Sequence, residues 1–153
     1  MKKLLIIGGA IIAVFILIVV LSNQSDKIKL KDNPYDTDKL SKSTIALIGN
    51  ENYDNIVLPG ELNDKITSGE PVTAYYFHPE CQYCMAMTPV MMPIAKEMGV
   101  DVLQYNMMEF PHPADVQSWP TLVHYKDGEE VGRMVGEQPA ENIRAFFTEF
   151  EGK

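Results

Sequence analysis

The sequence predicts an α/β fold with a mixed central sheet and helices on both faces, preceded by an N-terminal transmembrane helix. β-favouring and helical segments alternate from about residue 55 to residue 105, which is typical of a parallel sheet with crossover helices. Asp127-Gly128 lies between two β-favouring runs, a strong signal for an antiparallel hairpin. An uncharged apolar run near the N-terminus is long enough to cross a bilayer.

Residues 1–21 are interpreted as a membrane anchor. Lys2 and Lys3 precede 18 residues without a charge or a strongly polar side chain, LLIIGGAIIAVFILIVVL. This run can span the hydrocarbon of a bilayer and exceeds the apolar part of a typical cleaved signal, although a cleaved signal peptide remains the alternative. A very short basic N-terminus before an apolar run resembles a signal-anchor. We therefore expect a single-pass protein of the cell membrane whose domain lies on the extracytoplasmic side.

Residues 22–36 are polar, include Asn33-Pro34 and are predicted to form a linker. Residues 37–153 then form the α/β domain, with an N-terminal helical extension. Residues 22–153 contain 11 of the 13 basic residues and all 21 acidic residues, a net charge of −10. This acidic balance argues against nucleic acid and anionic lipid as partners.

The predicted elements of the domain follow from apolar periodicity and turn residues. Asp36-Thr37 is the predicted start of a short helix that ends at Gly49. The remaining predicted elements are a strand at 55–58, a helix at 61–69, a strand at 72–77, a helix at 81–98, a strand at 100–105, a connection at 107–118, strands at 121–125 and 130–135, and a helix that opens at Pro139. Pro89 and Pro93 lie inside the helix at 81–98. Each removes a backbone hydrogen bond, so this helix should kink or break.

Cys81 and Cys84 are the only cysteines of the chain. They follow the strand at 72–77 and open the next helix, so Cys81 lies where unpaired backbone N–H groups and the helix dipole favour a thiolate, the nucleophilic form of cysteine. Cys84 lies one turn further along, close enough to form a disulfide with Cys81. Redox chemistry is the favoured interpretation. Two structural cysteines, or a metal site that includes His78, remain as alternatives.

The chain from about residue 55 to residue 150 resembles the thioredoxin family at four positions. Cys81 and Cys84 match its Cys-x-x-Cys pair, and Pro89, five residues later, matches its helix-kinking proline. Trp119-Pro120-Thr121, before a strand and a Lys-Asp-Gly hairpin, matches its cis-proline segment, and Gly136 matches the glycine before the final helix. With the N-terminal anchor, the chain is similar to the membrane-tethered thioredoxin-like proteins of Gram-positive bacteria.

This resemblance implies a thiol–disulfide oxidoreductase that acts on exported or cell-envelope proteins and exchanges electrons with a separate membrane protein. Cys81 would attack the substrate disulfide, and Cys84 would resolve the mixed disulfide. Pro120 would be cis and would place the backbone of Trp119 beside the cysteines to bind an extended substrate segment. The resemblance implies no cofactor and no metal.

The chain departs from the family pattern in two places next to the cysteines. Tyr75 stands where the family has a buried carboxylate, and Glu80 stands where it has a tryptophan. Two other functions stay open at this point. The soluble part holds eight methionines and three histidines, so the protein could handle copper or another metal; or it could be a non-catalytic accessory of an export system.

Overall fold

The computed structural model describes residues 2–150 of the chain, with side chains from residue 7 onward. Its elements are α1 (Lys2–Lys31), α2 (Lys42–Leu47), a 3-10 turn (Glu51–Tyr53), α3 (Pro59–Thr67), β1 (Val72–Phe77), α4 (Gln82–Met98), β2 (Val102–Asn106), β3 (Thr121–Lys126), β4 (Glu129–Val135) and α5 (Ala140–Phe150). This element order confirms the predicted α/β fold.

The four strands form one mixed sheet in the order β2-β1-β3-β4. β1 and β2 are parallel, with Phe77 opposite Asn106 at their carboxyl ends, and β3 is antiparallel to both β1 and β4. Asp127 and Gly128 both have positive φ, 54° and 82°, as a two-residue turn that matches the strand twist requires. The predicted hairpin is therefore confirmed.

The predicted strand at 55–58 is wrong as a full strand. Only one parallel bridge forms, between Ile56 and Gln104 at the outer edge of β2. The 3-10 turn ends at Tyr53, and Pro59 already opens α3, because proline is favoured in the first turn of a helix. Too few residues remain between them for a longer ladder.

Alternate residues of β1 face two separate cores, one on each side of the sheet. Tyr75 and Phe77 pack on the side of α4 and α5, together with Met87, Met91 and Phe147. The opposite core holds Ala74 and Tyr76, with residues of β2, β3 and α3. Helices therefore cover both faces, as predicted.

α4 runs from Gln82 to Met98 without interruption through Pro89 and Pro93. The predicted break of this helix does not occur, and a kink within the continuous helix stays a prediction. Pro89 and Pro93 are both exposed, so the backbone hydrogen bonds that the two prolines cannot donate are lost on the solvent side of the helix, away from the core. The opposite face of α4, which includes Cys84, Met87 and Met91, is buried and holds the helix in place.

α1 continues for ten residues beyond the apolar run, so the segment predicted to be a linker begins as a helix. The apolar side chains of α1 from Ile7 to Leu21 are exposed, which means that the helix projects away from the domain. Its Ile7–Lys31 part is long and apolar enough to cross a membrane. α2 begins at Lys42, later than predicted, because Ser41 caps it: the Ser41 Oγ accepts a hydrogen bond from the Thr44 N–H at 3.2 Å.

Candidate active site

Cys81 occupies the N-cap of α4, four residues after β1 ends. Its backbone is extended, with φ −82° and ψ 116°, and its Sγ accepts a hydrogen bond from the backbone N–H of Cys84 at 3.2 Å. An N–H donor and the positive end of the helix dipole both favour negative charge on this sulfur. The side chain is partly exposed, so a second sulfur can reach it.

Cys84 lies directly beneath Cys81 and is fully buried. Burial raises the pKa of the Cys84 thiol well above its ordinary value, and the neighbouring Cys81 side chain raises it further. Both cysteines are free thiols in this structure. The pair is therefore asymmetric, with one thiol open to solvent and one protonated thiol in the core.

The Trp119–Pro120 peptide bond is cis, as the resemblance implies. The carbonyl oxygen of Trp119 lies 3.6 Å from the Sγ of Cys81, and the carbonyl of Pro120 accepts a hydrogen bond from Gly136 N–H at 2.8 Å. The structure thus brings all four predicted site residues, Cys81, Cys84, Trp119 and Pro120, to one edge of the sheet.

The indole of Trp119 packs between two imidazoles, a feature that sequence reasoning missed. His78 stacks on it with ring centroids 5.3 Å apart and 16° between the planes, and His112 meets it edge-on at 5.4 Å and 69°. The spacing of His78 to Cys81 was visible in the sequence. Nothing local marked His112, which the 107–118 connection brings to the site.

Tyr75 is completely buried on the same side of the sheet as Cys84. The Tyr75 hydroxyl lies 3.0 Å from the Oγ1 of Thr88. The Thr88 hydroxyl donates its own hydrogen to the backbone carbonyl of Cys84 at 2.8 Å. Tyr75 therefore donates to Thr88. Burial raises the pKa of the Tyr75 phenol far above its ordinary value, so this group stays protonated and cannot accept the proton of Cys84.

Glu80, the residue beside Cys81, is exposed and bonded to the N-terminal extension. Its Oε1 accepts a hydrogen bond from the Oγ of Ser43 at 2.6 Å. Its backbone N–H donates to the Nδ1 of His78 at 3.2 Å, which orders the turn that leads to Cys81. Sequence reasoning placed this carboxylate in solvent but did not find its partner on α2.

No cluster of three or more His, Cys, Asp and Glu side chains with the arrangement of a metal site occurs among the described side chains of residues 7–150. The ring of His78, the histidine considered as a third ligand beside the cysteines, is stacked on Trp119. The site as built is a thiol pair next to a cis-proline.

Residues 47–149 match the family model described as thioredoxin. The chain belongs to the thioredoxin family. It is 39% identical over 85 residues to a thioredoxin of Chlamydia muridarum, covering 53% of this chain and 82% of that one. It is 34% identical over 92 residues to a thioredoxin of Staphylococcus epidermidis, covering 57% of this chain and 88% of the relative.

Solved structures agree with the sequence relatives. A point-mutant thioredoxin from Halobacterium salinarum superimposes with a TM-score of 0.54 at 26% identity, covering 62% of this chain and 88% of that one. A Malassezia sympodialis thioredoxin shares the fold with a TM-score of 0.55 at 19% identity, covering 62% and 88% of the two chains. The thioredoxin relatives support a thiol–disulfide oxidoreductase activity. The matched region begins at residue 47, so α1 and nearly all of α2 precede it.

Proposed function

We propose that this protein is a membrane-anchored thiol–disulfide oxidoreductase that exchanges dithiols and disulfides with exported proteins on the extracytoplasmic side. The observation that carries the proposal is the position of Cys81. Its partly exposed sulfur lies at a helix N-terminus, accepts the N–H of Cys84 and borders the carbonyl of Trp119 before a cis-proline.

The exchange proceeds in two steps that together move two electrons. The Cys81 thiolate attacks one sulfur of a substrate disulfide, forms a mixed disulfide and releases the other substrate sulfur as a thiolate, which takes up a proton. Cys84 then loses its proton and attacks the Cys81 sulfur. This step releases the second substrate thiol and leaves a Cys81–Cys84 disulfide. In the opposite direction the same steps oxidise a substrate dithiol.

The proton of Cys84 has no buried carboxylate to receive it among the described residues. The hydroxyls of Tyr75, Thr88 and Tyr53 lie near Cys84, and none of them acts as a base at neutral pH. We infer that the thiolate released by the substrate, or water entering beside Cys81, accepts this proton. Resolution of the mixed disulfide is then the slower of the two steps.

Trp119 and Pro120 serve substrate binding in this proposal. The Trp119 carbonyl lies next to the attacking sulfur, and an extended substrate segment can pair with this backbone while its disulfide meets Cys81. The indole itself is held by His78 and His112, so it forms the fixed wall of that site.

Trapping of mixed disulfides tests the assignment of roles. Cys84→Ser should accumulate mixed disulfides through Cys81, detected by mass spectrometry after thiol blocking, because the second step is removed. Cys81→Ser should lose exchange altogether, and the double variant is the matched control that traps nothing. Trapping through Cys84 in the Cys81→Ser variant, with none through Cys81 in the Cys84→Ser variant, would reverse the two roles.

Protease added to intact cells stripped of their wall tests the location. The accessible chain between α1 and α2, residues 32–41, is the expected cleavage region, because residues 22–31 are helical. Cleavage in intact cells places the domain outside the cytoplasm. Protection that is lost only on lysis would place it inside and contradict the extracytoplasmic part of the proposal.

A further inference from the structure

The junction between α1 and α2 is closed by specific hydrogen bonds. The Nζ of Lys29, in the last turn of α1, donates to the carbonyl oxygens of Ile45 at 3.1 Å and Ala46 at 3.4 Å, at the C-terminal end of α2. The side-chain amide of Asn33 donates to the carbonyls of Leu30 and Thr37 at 2.8 and 2.9 Å. The chain therefore turns back on itself between the two helices.

α2 is in turn bound to the edge of the sheet that carries the cysteines. Asn106 ends β2, and its side-chain amide donates to the Tyr35 hydroxyl at 3.0 Å and to the Thr44 hydroxyl at 3.1 Å. Glu109 accepts hydrogen bonds from the Thr44 hydroxyl at 2.6 Å and the Ser41 N–H at 3.0 Å. Burial raises the pKa of Glu109, but the bonds from Thr44 and Ser41 outweigh this effect, and the net shift is downward.

A third contact reaches the residue beside the nucleophile. Ser43 donates to Glu80, which directly precedes Cys81. Phe77 and Asn106, the last residues of β1 and β2, are register partners, so the α2 contacts and the cysteines lie at the same carboxyl edge of the parallel pair. The N-terminal helix thus joins the domain at its active-site edge.

The height of this joint above a membrane follows from helix geometry. The apolar run ends at Leu21 and α1 ends at Lys31, and ten helical residues rise about 15 Å. A polar headgroup layer is about 5–8 Å thick on each side. The helix therefore carries the joint just clear of the headgroups. A flexible linker of the same 22–36 segment would span about 20 Å on average and leave the orientation free.

We propose that α1 and α2 form a rigid bracket that holds the Cys81 edge of the domain toward the bilayer at a fixed, short height. The partner that this edge fits is a disulfide or dithiol of a protein held at the membrane surface, because the bracket keeps Cys81 at that height. The inference rests on the proposed function: its chemistry is the same two-electron exchange, in which one cysteine pair is oxidised as the other is reduced. The acidic surface of the domain disfavours contact with anionic lipid and so supports a raised position.

Energy transfer from a single tryptophan to the membrane surface measures this orientation. Trp119 is the only tryptophan of the chain and lies at the active-site edge. The full chain is placed in phosphatidylcholine vesicles that contain a headgroup-dansylated lipid. The comparison variant combines Trp119→Phe with Glu70→Trp, which moves the donor to an exposed position just before β1, at the opposite edge of the sheet.

We expect a severalfold higher transfer efficiency from Trp119 than from the tryptophan introduced by Glu70→Trp. A glycine-serine insertion of about 20 residues after Asp32 should make the two efficiencies nearly equal, because it frees the orientation. Lys27→Ala removes a charge from α1 near Lys29 but leaves the Lys29 bonds to α2 in place, so it should change neither efficiency. Equal efficiencies in the uninserted chain, or higher transfer from the Glu70→Trp donor, would overturn the bracket.

A disulfide peptide tests the partner. The same peptide is offered free in solution and coupled by a short tether to a phosphatidylethanolamine headgroup. Compared with the original chain, the variant with the glycine-serine insertion should exchange disulfides severalfold more slowly with the tethered peptide and at an unchanged rate with the free peptide. An unchanged ratio of the two rates would refute the membrane-surface partner. Lack of exchange with both peptides, with the expected energy transfer, would refute the proposed function and the partner but leave the bracket standing.

Discussion

The hydroxyl pair formed by Tyr75 and Thr88 makes a quantitative prediction about the core beneath Cys84. Both side chains have 0% exposure, and their oxygen atoms lie 3.0 Å apart. The Thr88 hydrogen points to the Cys84 carbonyl, so the bond between the pair is donated by Tyr75. Each partner can be replaced by a residue of nearly the same shape without its hydroxyl.

Tyr75→Phe removes one neutral hydrogen bond and should destabilise the domain by about 1 kcal/mol. Thr88→Val is the more damaging change, at about 1–3 kcal/mol, because it leaves the Tyr75 hydroxyl buried without its acceptor. The double variant has no orphaned group in this pair. We expect the double variant to lose about 1–2 kcal/mol less unfolding free energy than the sum of the losses in the two single variants.

Urea unfolding of the reduced full chain in mild detergent measures this coupling. Trp119 fluorescence reports on the domain alone, since α1 contains no tryptophan. The four proteins should differ in midpoint with an unchanged slope. The cysteine reduction potential should stay the same in Tyr75→Phe, because the phenol is neutral and contacts Thr88, not a thiol.

Additive single effects, within about 0.5 kcal/mol, would refute the reasoning. They would mean that the Tyr75 hydroxyl is satisfied elsewhere in the Thr88→Val variant. Tyr53 is the candidate for that role, because its hydroxyl lies near both Met85 and Thr88. Repeating the cycle in a Tyr53→Phe background would identify that substitute partner.

Two further predictions concern stability. Burial and the Cys81 side chain raise the folded-state pKa of Cys84, so the stability that the protonated thiol contributes is fully present below the unfolded-state pKa of about 8.5 and is lost as pH rises above it. The unfolding free energy of the reduced protein should therefore fall by up to about 1.4 kcal/mol per pH unit between about pH 8.5 and 9.5. An equal slope in the reduced Cys84→Ser variant would show that another group is responsible. Gly132→Ala should destabilise the domain by about 1–3 kcal/mol, because the new Cβ would collide with the ring of Phe150. In a Phe150→Ala background the loss of unfolding free energy caused by Gly132→Ala should nearly vanish. A loss that persists in that background would place the strain in the β3–β4 ladder.

The sequence by itself determined the features that depend on residues close together in the chain. Cys81 and Cys84 at a strand-to-helix junction, and Asp127-Gly128 between two β-favouring runs, each carry their structural signal in a short stretch of neighbouring residues. Their backbone conformations are local, so pattern reasoning found them. The position of the Trp119–Pro120 segment next to the cysteines came from the family resemblance, since no local pattern relates residues so far apart.

The tertiary structure decided which of the possible local states survive. Residues 55–58 have the composition of a strand, but only Ile56 pairs with Gln104, because a strand needs a partner along its length. Residues 22–31 lack an apolar stripe, yet they extend α1, since adding a turn to an existing helix is easier than starting one and Lys29 then bonds to α2.

The surroundings of the cysteines were also decided by long-range packing. Whether Trp119 faces a substrate or the core could not be read from its neighbours in sequence. The folded chain places it between His78 and His112, which come from two different loops. Likewise, Glu80 meets Ser43 and Tyr75 meets Thr88 only in the folded chain. A side chain's hydrogen-bond partner is selected by the packing of distant segments, and that selection leaves no trace in the local pattern of residues.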